Sequence, residues 1–199
     1  MKTLLPISYL GSIAYYSIII KSHEILIEKK ENFVKQSIRN RCVILGANGQ
    51  QILTIPKERK SSDKTIISEI KISNKDKWQK SHWQSIVSAY NSSPFFEYYK
   101  DEIEYFYLSE FDNLFDFNFK LTKIIFDFLE IKKEISFTNK YNDNFEGIDL
   151  RKSKFQLNNT EKYDQVFSKK NNFIPNLSIL DLIFNLGPET TSYLERQSI

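Results

Sequence analysis

The chain is poor in the residues that usually announce chemistry. Among its 199 residues are one cysteine, Cys42, and two histidines, His23 and His82. A single thiol allows no internal disulfide and no thiolate metal cluster. The histidines lie far apart, with no HxxxH or CxxC, so no metal site is expected. Five glycines and five prolines leave no glycine-rich phosphate loop. GxxxxGK[ST], GxGxxG, GxSxG and HExxH are all missing, which removes the familiar nucleotide, hydrolase and metalloprotease patterns and leaves no cofactor to expect. Long apolar runs are missing too. The run Ile13 to Ile20 is closed by Lys21 and is too short to span a bilayer. The amino terminus lacks the pattern of a secretory signal, so the expectation is a cytoplasmic protein without a transmembrane segment. Charge of one sign is also absent: 28 basic residues face 25 acidic ones, for a net +3. Their interspersion argues against a nucleic-acid partner, whose footprint is usually a basic stripe or tail.

What the chain does have is aromatic residues, 15% of the total. A large aromatic core explains them most simply, and a stacking surface for sugars or bases is the sharper alternative. The length fits one domain, residues 1–199, with a sizeable core. A first strand over Leu4 to Leu10, a helix ending near Ser22 and a second strand over His23 to Lys29 predict a βαβ crossover. KQSIRNRCVILGANGQQILTIP, residues 35–56, then reads as an antiparallel hairpin. Its strands are about Arg39 to Gly46 and Gln51 to Ile55, with a two-residue type I′ turn at Asn48-Gly49. That register sets Cys42 opposite Ile55, an apolar place where a thiol is inert. Alternation in IISEIKI, Ile66 to Ile72, predicts another strand.

Helical periodicity begins after Asp76, with Trp78, His82, Ile86 and Ala89 on one line and Lys77, Lys80, Ser81, Gln84 and Ser88 opposite. Pro94 restarts the pattern in FFEYYKDEIEYFYL, and a third helix runs from about Glu110 to before Ile131. Glu134 to Asn139 reads as a strand. The polar segment 140–172 reads as a loop or lid. Pro175 and Ser178 open a short helix that Gly187 stops. The fold class predicted is α/β, or α+β: a mixed sheet with an antiparallel hairpin, packed by several amphipathic helices.

In an extended conformation Lys35, Ser37, Arg39 and Arg41 share a face. Such a cation row is either solvated decoration, with Glu28 and Glu31 near enough to pair, or a site for phosphate or carboxylate. His82, on the apolar half of its helix, is either a core histidine or the acid or base of a pocket.

Taken in order, ENFVKQSIRNRCVI, the hairpin with LTIP, KWQKSHWQSIVSAYNSSPFFEYY and PNLSILDLIFNLGPETTSYL resemble the successive signature blocks of the WbqC-like protein family across essentially the whole chain. DLRKSKF and YDQVF suggest its branch in Bacteroidetes-type bacteria. The resemblance brings over Lys35, Arg39, Asn40 and Arg41 from the basic strand, and His82, Trp83 and Tyr90 from the helix. Pro94 and Phe95 follow from the turn, and Ser178, Asp181 and Gly187 from the C-terminal block. Pro6-Ile7-Ser8-Tyr9 departs from the Pro-Tyr pair, with Gln or His ahead of it, of many relatives. Family members are associated with O-antigen and surface-polysaccharide gene clusters. The resemblance therefore implies a transferase modifying a nucleotide- or lipid-linked sugar, for example with an amino acid. In that reading Lys35, Arg39, Asn40 and Arg41 contact the anion, His82 is acid or base, and Trp83, Tyr90 and Asp181 complete the substrate site. The alternative it leaves open is a noncatalytic binding or assembly protein that partners glycan-synthesis enzymes.

Overall fold

The computed structural model describes residues 2–59 and 64–198. It is built on a four-stranded parallel sheet in the order β5-β2-β1-β6. β1 (Lys2–Pro6), α1 (Ile13–Lys21) and β2 (Glu24–Glu28) form the expected crossover, with Leu4 paired to Leu26. Parallel strands need such a connection, and the helix supplies it within the span that the sequence marked. β5 (Ile135–Phe137) joins β2, and β6 (Ile148–Asp149) joins the other side of β1.

The hairpin is a sheet of its own, β3 (Arg41–Gly46) with β4 (Gly49–Thr54). Its register differs from the expected one. Gly46 pairs with Gly49, so the tip is Ala47-Asn48, and Cys42 faces Leu53 instead of Ile55. A type I′ turn at Asn48-Gly49 needs positive φ at both residues, whereas Gly49 has φ +105° and Asn48 is outside that region. The slip is two residues, which preserves side-chain parity. Cys42 therefore still points into apolar surroundings.

Around these sheets lie α2 (Trp78–Tyr90), α3 (Phe96–Leu108), α4 (Leu114–Phe128), α5 (Ser168–Asn171), α6 (Ile179–Leu186) and α7 (Thr190–Arg196). α2 buries the predicted face: Trp78, His82, Ile86 and Ala89 are all buried. Tyr9, Tyr15, Tyr16, Phe115, Phe117 and Phe184 are wholly inside. The aromatic content is thus mostly core, each fully buried ring contributing on the order of 2 kcal/mol. α6 ends at Gly187 with φ +52°, under the Phe95 ring, where a side chain would collide with that ring.

One expectation fails in an instructive way. Ile66 to Ile72 is not a strand: Ile67–Glu69 is a single 3₁₀ turn, flanked by isolated bridges from Ile66 to Asn32 and from Ile72 to Lys57. Ile67, Ile70 and Ile72 point inward, a spacing that suits a turn as well as an alternating run. Segment 140–172 is irregular apart from the edge strand β6 and the short α5, and it buries Arg151 and Phe155.

Candidate functional site

In open parallel sheets ligands bind beyond the carboxyl ends of the strands, where strand order reverses. That edge comprises the ends of β1, β2, β5 and β6, with residues 37–41 leading into β3. Two buried arginines dominate it. Arg39, 4% exposed, grips Glu31 in bidentate fashion, Nε to Oε1 at 2.7 Å and Nη2 to Oε2 at 2.5 Å. Nη2 also donates to the Arg151 carbonyl at 3.2 Å. Burial raises the Glu31 carboxyl above its ordinary value, with Arg39 opposing that rise. Arg151 donates from Nη1 to Glu28 Oε2 at 3.0 Å and from Nη2 to Asp149 Oδ2 at 2.6 Å, and its guanidinium lies 4.4 Å from the centre of the Tyr141 ring. The hydrogen bonds from Arg151 hold Asp149 below the usual carboxylate range. Glu28, fully buried, also accepts from the Lys30 amide at 2.7 Å and the Thr138 hydroxyl at 2.5 Å. The network stitches β2, β5 and β6 together, and its cations are spent on carboxylates.

Arg41 differs. It opens β3, is half-buried, and unlike Arg39 and Arg151 holds no carboxylate among the described residues. Its Nε is buried with no hydrogen-bond partner there. It lines a small cavity of about 70 Å³ with Ser8, Ser12, Cys42, Asn176 and Ser178. Two helices start at this point, and their amino ends cap each other. The Ile13 amide donates to the Leu177 carbonyl at 3.0 Å, Ile179 to Gly11 at 2.8 Å, and Ala14 to Asn176 Oδ1 at 2.9 Å. Ser178 Oγ donates to the Leu10 carbonyl at 3.0 Å. Both positive dipole ends converge here, yet these amides are already used. Arg41 keeps Nε for a ligand, and the Ser12 hydroxyl, which accepts from Tyr15 N at 3.4 Å, donates to no partner among the described residues. Leu10 (φ +44°) and Asn176 (φ +56°), both beside the cavity, hold left-handed backbone, a strain that non-glycine residues carry only where the surroundings enforce it. Burial pushes the Cys42 thiol far up, so it is no nucleophile at neutral pH.

The residues expected to form one site fall into three places. Lys35 to Asn40 form turns instead of extended backbone, so the cations do not share a strand face: Lys35 is exposed, Arg39 buried and Arg41 half-buried. Asn40 donates from Nδ2 to the Ile55 carbonyl at 3.1 Å, fixing the turn into β3. His82, on the buried face of α2, turns toward Tyr9 and α3: its Nδ1 is 2.9 Å from the Tyr9 hydroxyl, which is 2.7 Å from that of Tyr107. Burial pulls it down to about 4, against a hydrogen bond to the Thr54 backbone that favours its charged form. It is therefore neutral at pH 7 and surrounded by rings. Trp83 donates to Glu104 at 2.8 Å and stacks on Phe96 and Tyr107, binding α2 to α3. Tyr90 and Asp181 form the third place, under Tyr163 and Gln165, which donate to Asp181 Oδ2 at 2.5 and 2.9 Å. Burial raises Asp181 to about 6.

Sequence reasoning missed Arg151, Asp149 and Tyr9. The signal for the first two was the short run Ile148-Asp149-Leu150-Arg151 after Gly147, strand-like within a polar stretch. Among the described residues no group of three or more His, Cys, Asp or Glu could hold a metal, and no helix is long and apolar enough to cross a membrane.

Comparison with known proteins places the chain in a family. The chain matches the WbqC-like protein family over residues 8–151 and 141–193. It belongs to that family. A relative is the "Uncharacterized protein Rv1507c" of Mycobacterium tuberculosis, 25% identical over 221 aligned positions covering 94% of each chain. No solved structure matches. In this WbqC-like protein the basic block thus divides its labour, Arg39 to the ion network and Arg41 to the cavity.

Proposed function

We propose that this WbqC-like protein acts in the cytoplasm in bacterial surface-polysaccharide, O-antigen type, biosynthesis, as a transferase that modifies a nucleotide- or lipid-linked sugar, for example with an amino acid. The observation that carries the reading is Arg41, half-buried, its Nε without a partner among the described residues, in a cavity between two helix amino ends beyond the central strand. A cavity of about 70 Å³ suits a phosphate or carboxylate group and not a sugar ring. In this reading the anionic group sits against Arg41 and the Ser12 hydroxyl, Lys35 stands outside, and the sugar lies beyond the rim. Arg39 and Asn40 act by holding the turn that carries Arg41.

Titration calorimetry with a nucleotide-linked sugar tests it. Removing a charged donor from an anion costs about 1.5–3 kcal/mol, so Arg41→Leu should weaken binding roughly 10- to 100-fold with the melting temperature unchanged. Equal affinity in an intact Arg41→Leu protein overturns the assignment, and the glycan intermediate that accumulates in a deletion strain names the step.

A second reading, a noncatalytic binding or assembly protein of a glycan-synthesis complex, is favoured by His82. That histidine, the strongest candidate for acid or base, is neutral and enclosed between Tyr9 and Trp78. If His82→Gln leaves polysaccharide assembly running, this reading replaces the catalytic one.

A further inference from the structure

The outer face of α3 departs from the rest of the surface. Tyr98, Tyr105 and Leu108 are 75%, 63% and 75% exposed, and with Asp101 and Glu102 they fall on one side of the helix at spacings of three, four and seven. The line spans about 15 Å. Three large apolar side chains on one solvent-facing helix stripe mark an interaction surface more often than chance scatter does.

Charge follows the same path. Residues 97–116 carry seven carboxylates and one ammonium, a local charge of −6 in a chain of +3, leaving +9 elsewhere. Glu97, Asp101, Glu102, Glu110, Asp112 and Asp116 are exposed. The stripe runs into a cleft of about 560 Å³ at the carboxyl end of α3, lined by Tyr105, Phe111, Glu110, Asp112 and Asp116. A cation already rests there: Lys120 Nζ stands 5.3 Å from the centre of the Phe111 ring. Ring and carboxylates together make a seat for an ammonium or guanidinium group.

We infer that the α3 face and its cleft dock a lysine- or arginine-rich amphipathic segment of another protein. The partner's apolar side chains lie on Tyr98, Tyr105 and Leu108, and its cations meet Asp101, Glu102 and the carboxylates of the cleft. A symmetric dimer through this face would set −6 against −6, and one helix stripe offers far less than the ~800 Å² per partner of a stable interface. Nucleic acid and anionic lipid are repelled by the same carboxylates. The inference stands apart from the Arg41 site and holds under either functional reading.

The test uses the full chain and a fluorescent, roughly 18-residue amphipathic Lys/Leu helix, with a Glu/Leu peptide as control. The Lys/Leu peptide should bind, and its affinity should fall roughly tenfold or more between low and high salt. Tyr98→Ser with Tyr105→Ser and Leu108→Ser keeps every charge, and Asp101→Asn with Glu102→Gln and Asp112→Asn keeps every ring. All sites are exposed, so both variants should melt like the parent and bind roughly tenfold more weakly or worse. Undiminished binding by the serine variant reduces the effect to bulk charge and overturns the proposal, as does equal binding of the Glu/Leu peptide. A parent that sediments as a dimer, and a serine variant that is monomeric, would replace the proposed partner with a second copy.

Discussion

Replacing Arg39 by Met separates two roles that a basic residue in this block could play. Arg39 is 4% exposed and Glu31 6%, and they share two hydrogen bonds of 2.7 and 2.5 Å. Removing the guanidinium leaves Glu31 buried without its cation, a loss of about 3–5 kcal/mol. For a chain of this size each kcal/mol moves the melting point by about 2–4 °C, so Arg39→Met should melt on the order of 10 °C lower. Restoring balance by Glu31→Leu should recover most of that loss, because a matched apolar pair is often no worse than a buried ion pair. The deficit should also depend on pH. Burial already raises Glu31 above its unfolded value, and losing Arg39 raises it further. A group raised in this way binds more protons folded than unfolded, so its contribution falls as pH rises through the folded value. The deficit of Arg39→Met should therefore be largest at neutral pH and shrink in acid. Calorimetric melts from pH 4 to 8 of the two single variants and the double variant check this. An Arg39→Met protein that melts within about 2 °C of the parent yet loses anion binding would refute the clamp and make Arg39 a ligand contact.

Other expectations are as sharp. His82 is pulled down to about 4 and Asp181 raised to about 6, so acid between pH 6 and 4 weakens the fold through His82 and strengthens it through Asp181. Urea titrations should find Asp181→Asn losing stability steeply over that window, and His82→Gln gaining it; parallel curves would dismiss both assignments. Lys133 donates from Nζ to the carbonyls of Ile19, Ile20 and Ser22, closing the carboxyl end of α1. Lys133→Met should cost about 1–3 kcal/mol in urea denaturation, and an unchanged midpoint would show the cap to be idle. Cys42 is buried with its thiol pushed far up, so a thiol reagent should react only as fast as the chain opens. Rapid labelling in native buffer would contradict that.

How much of this was readable beforehand depends on the range of the forces involved. α2 was legible because four inward residues and five polar ones repeat at helical spacing, and its burial follows that pattern. The crossover from β1 to β2 was legible because strand, helix and strand are consecutive. The hairpin was legible as a hairpin, but its register hung on the φ of one residue, Asn48, which the Asn-Gly pair misstates. The cation row failed for a longer-range reason. Whether Arg39 faces water or a carboxylate depends on Glu31, whose pairing the sequence did raise, and on Arg151, 112 residues away. Strand parity carries no information about a chain that turns between Gln36 and Asn40. His82, Tyr90 and Arg41 were separated by tertiary packing that no local pattern encodes.

The sheet order has a consequence for how the chain is made. β1 leaves the ribosome ahead of both its neighbours: β2 follows within about 20 residues, yet β6 begins only at residue 148. Until then one side of a buried strand has open amide and carbonyl groups, the kind of edge on which nascent chains aggregate. Everything between β2 and residue 148 is made while β1 is paired on one side alone. Closure comes when Arg151 reaches Glu28 and the 176–178 segment caps α1. A chain truncated before residue 148 lacks all three, so premature termination is the point at which this fold is most exposed to misassociation.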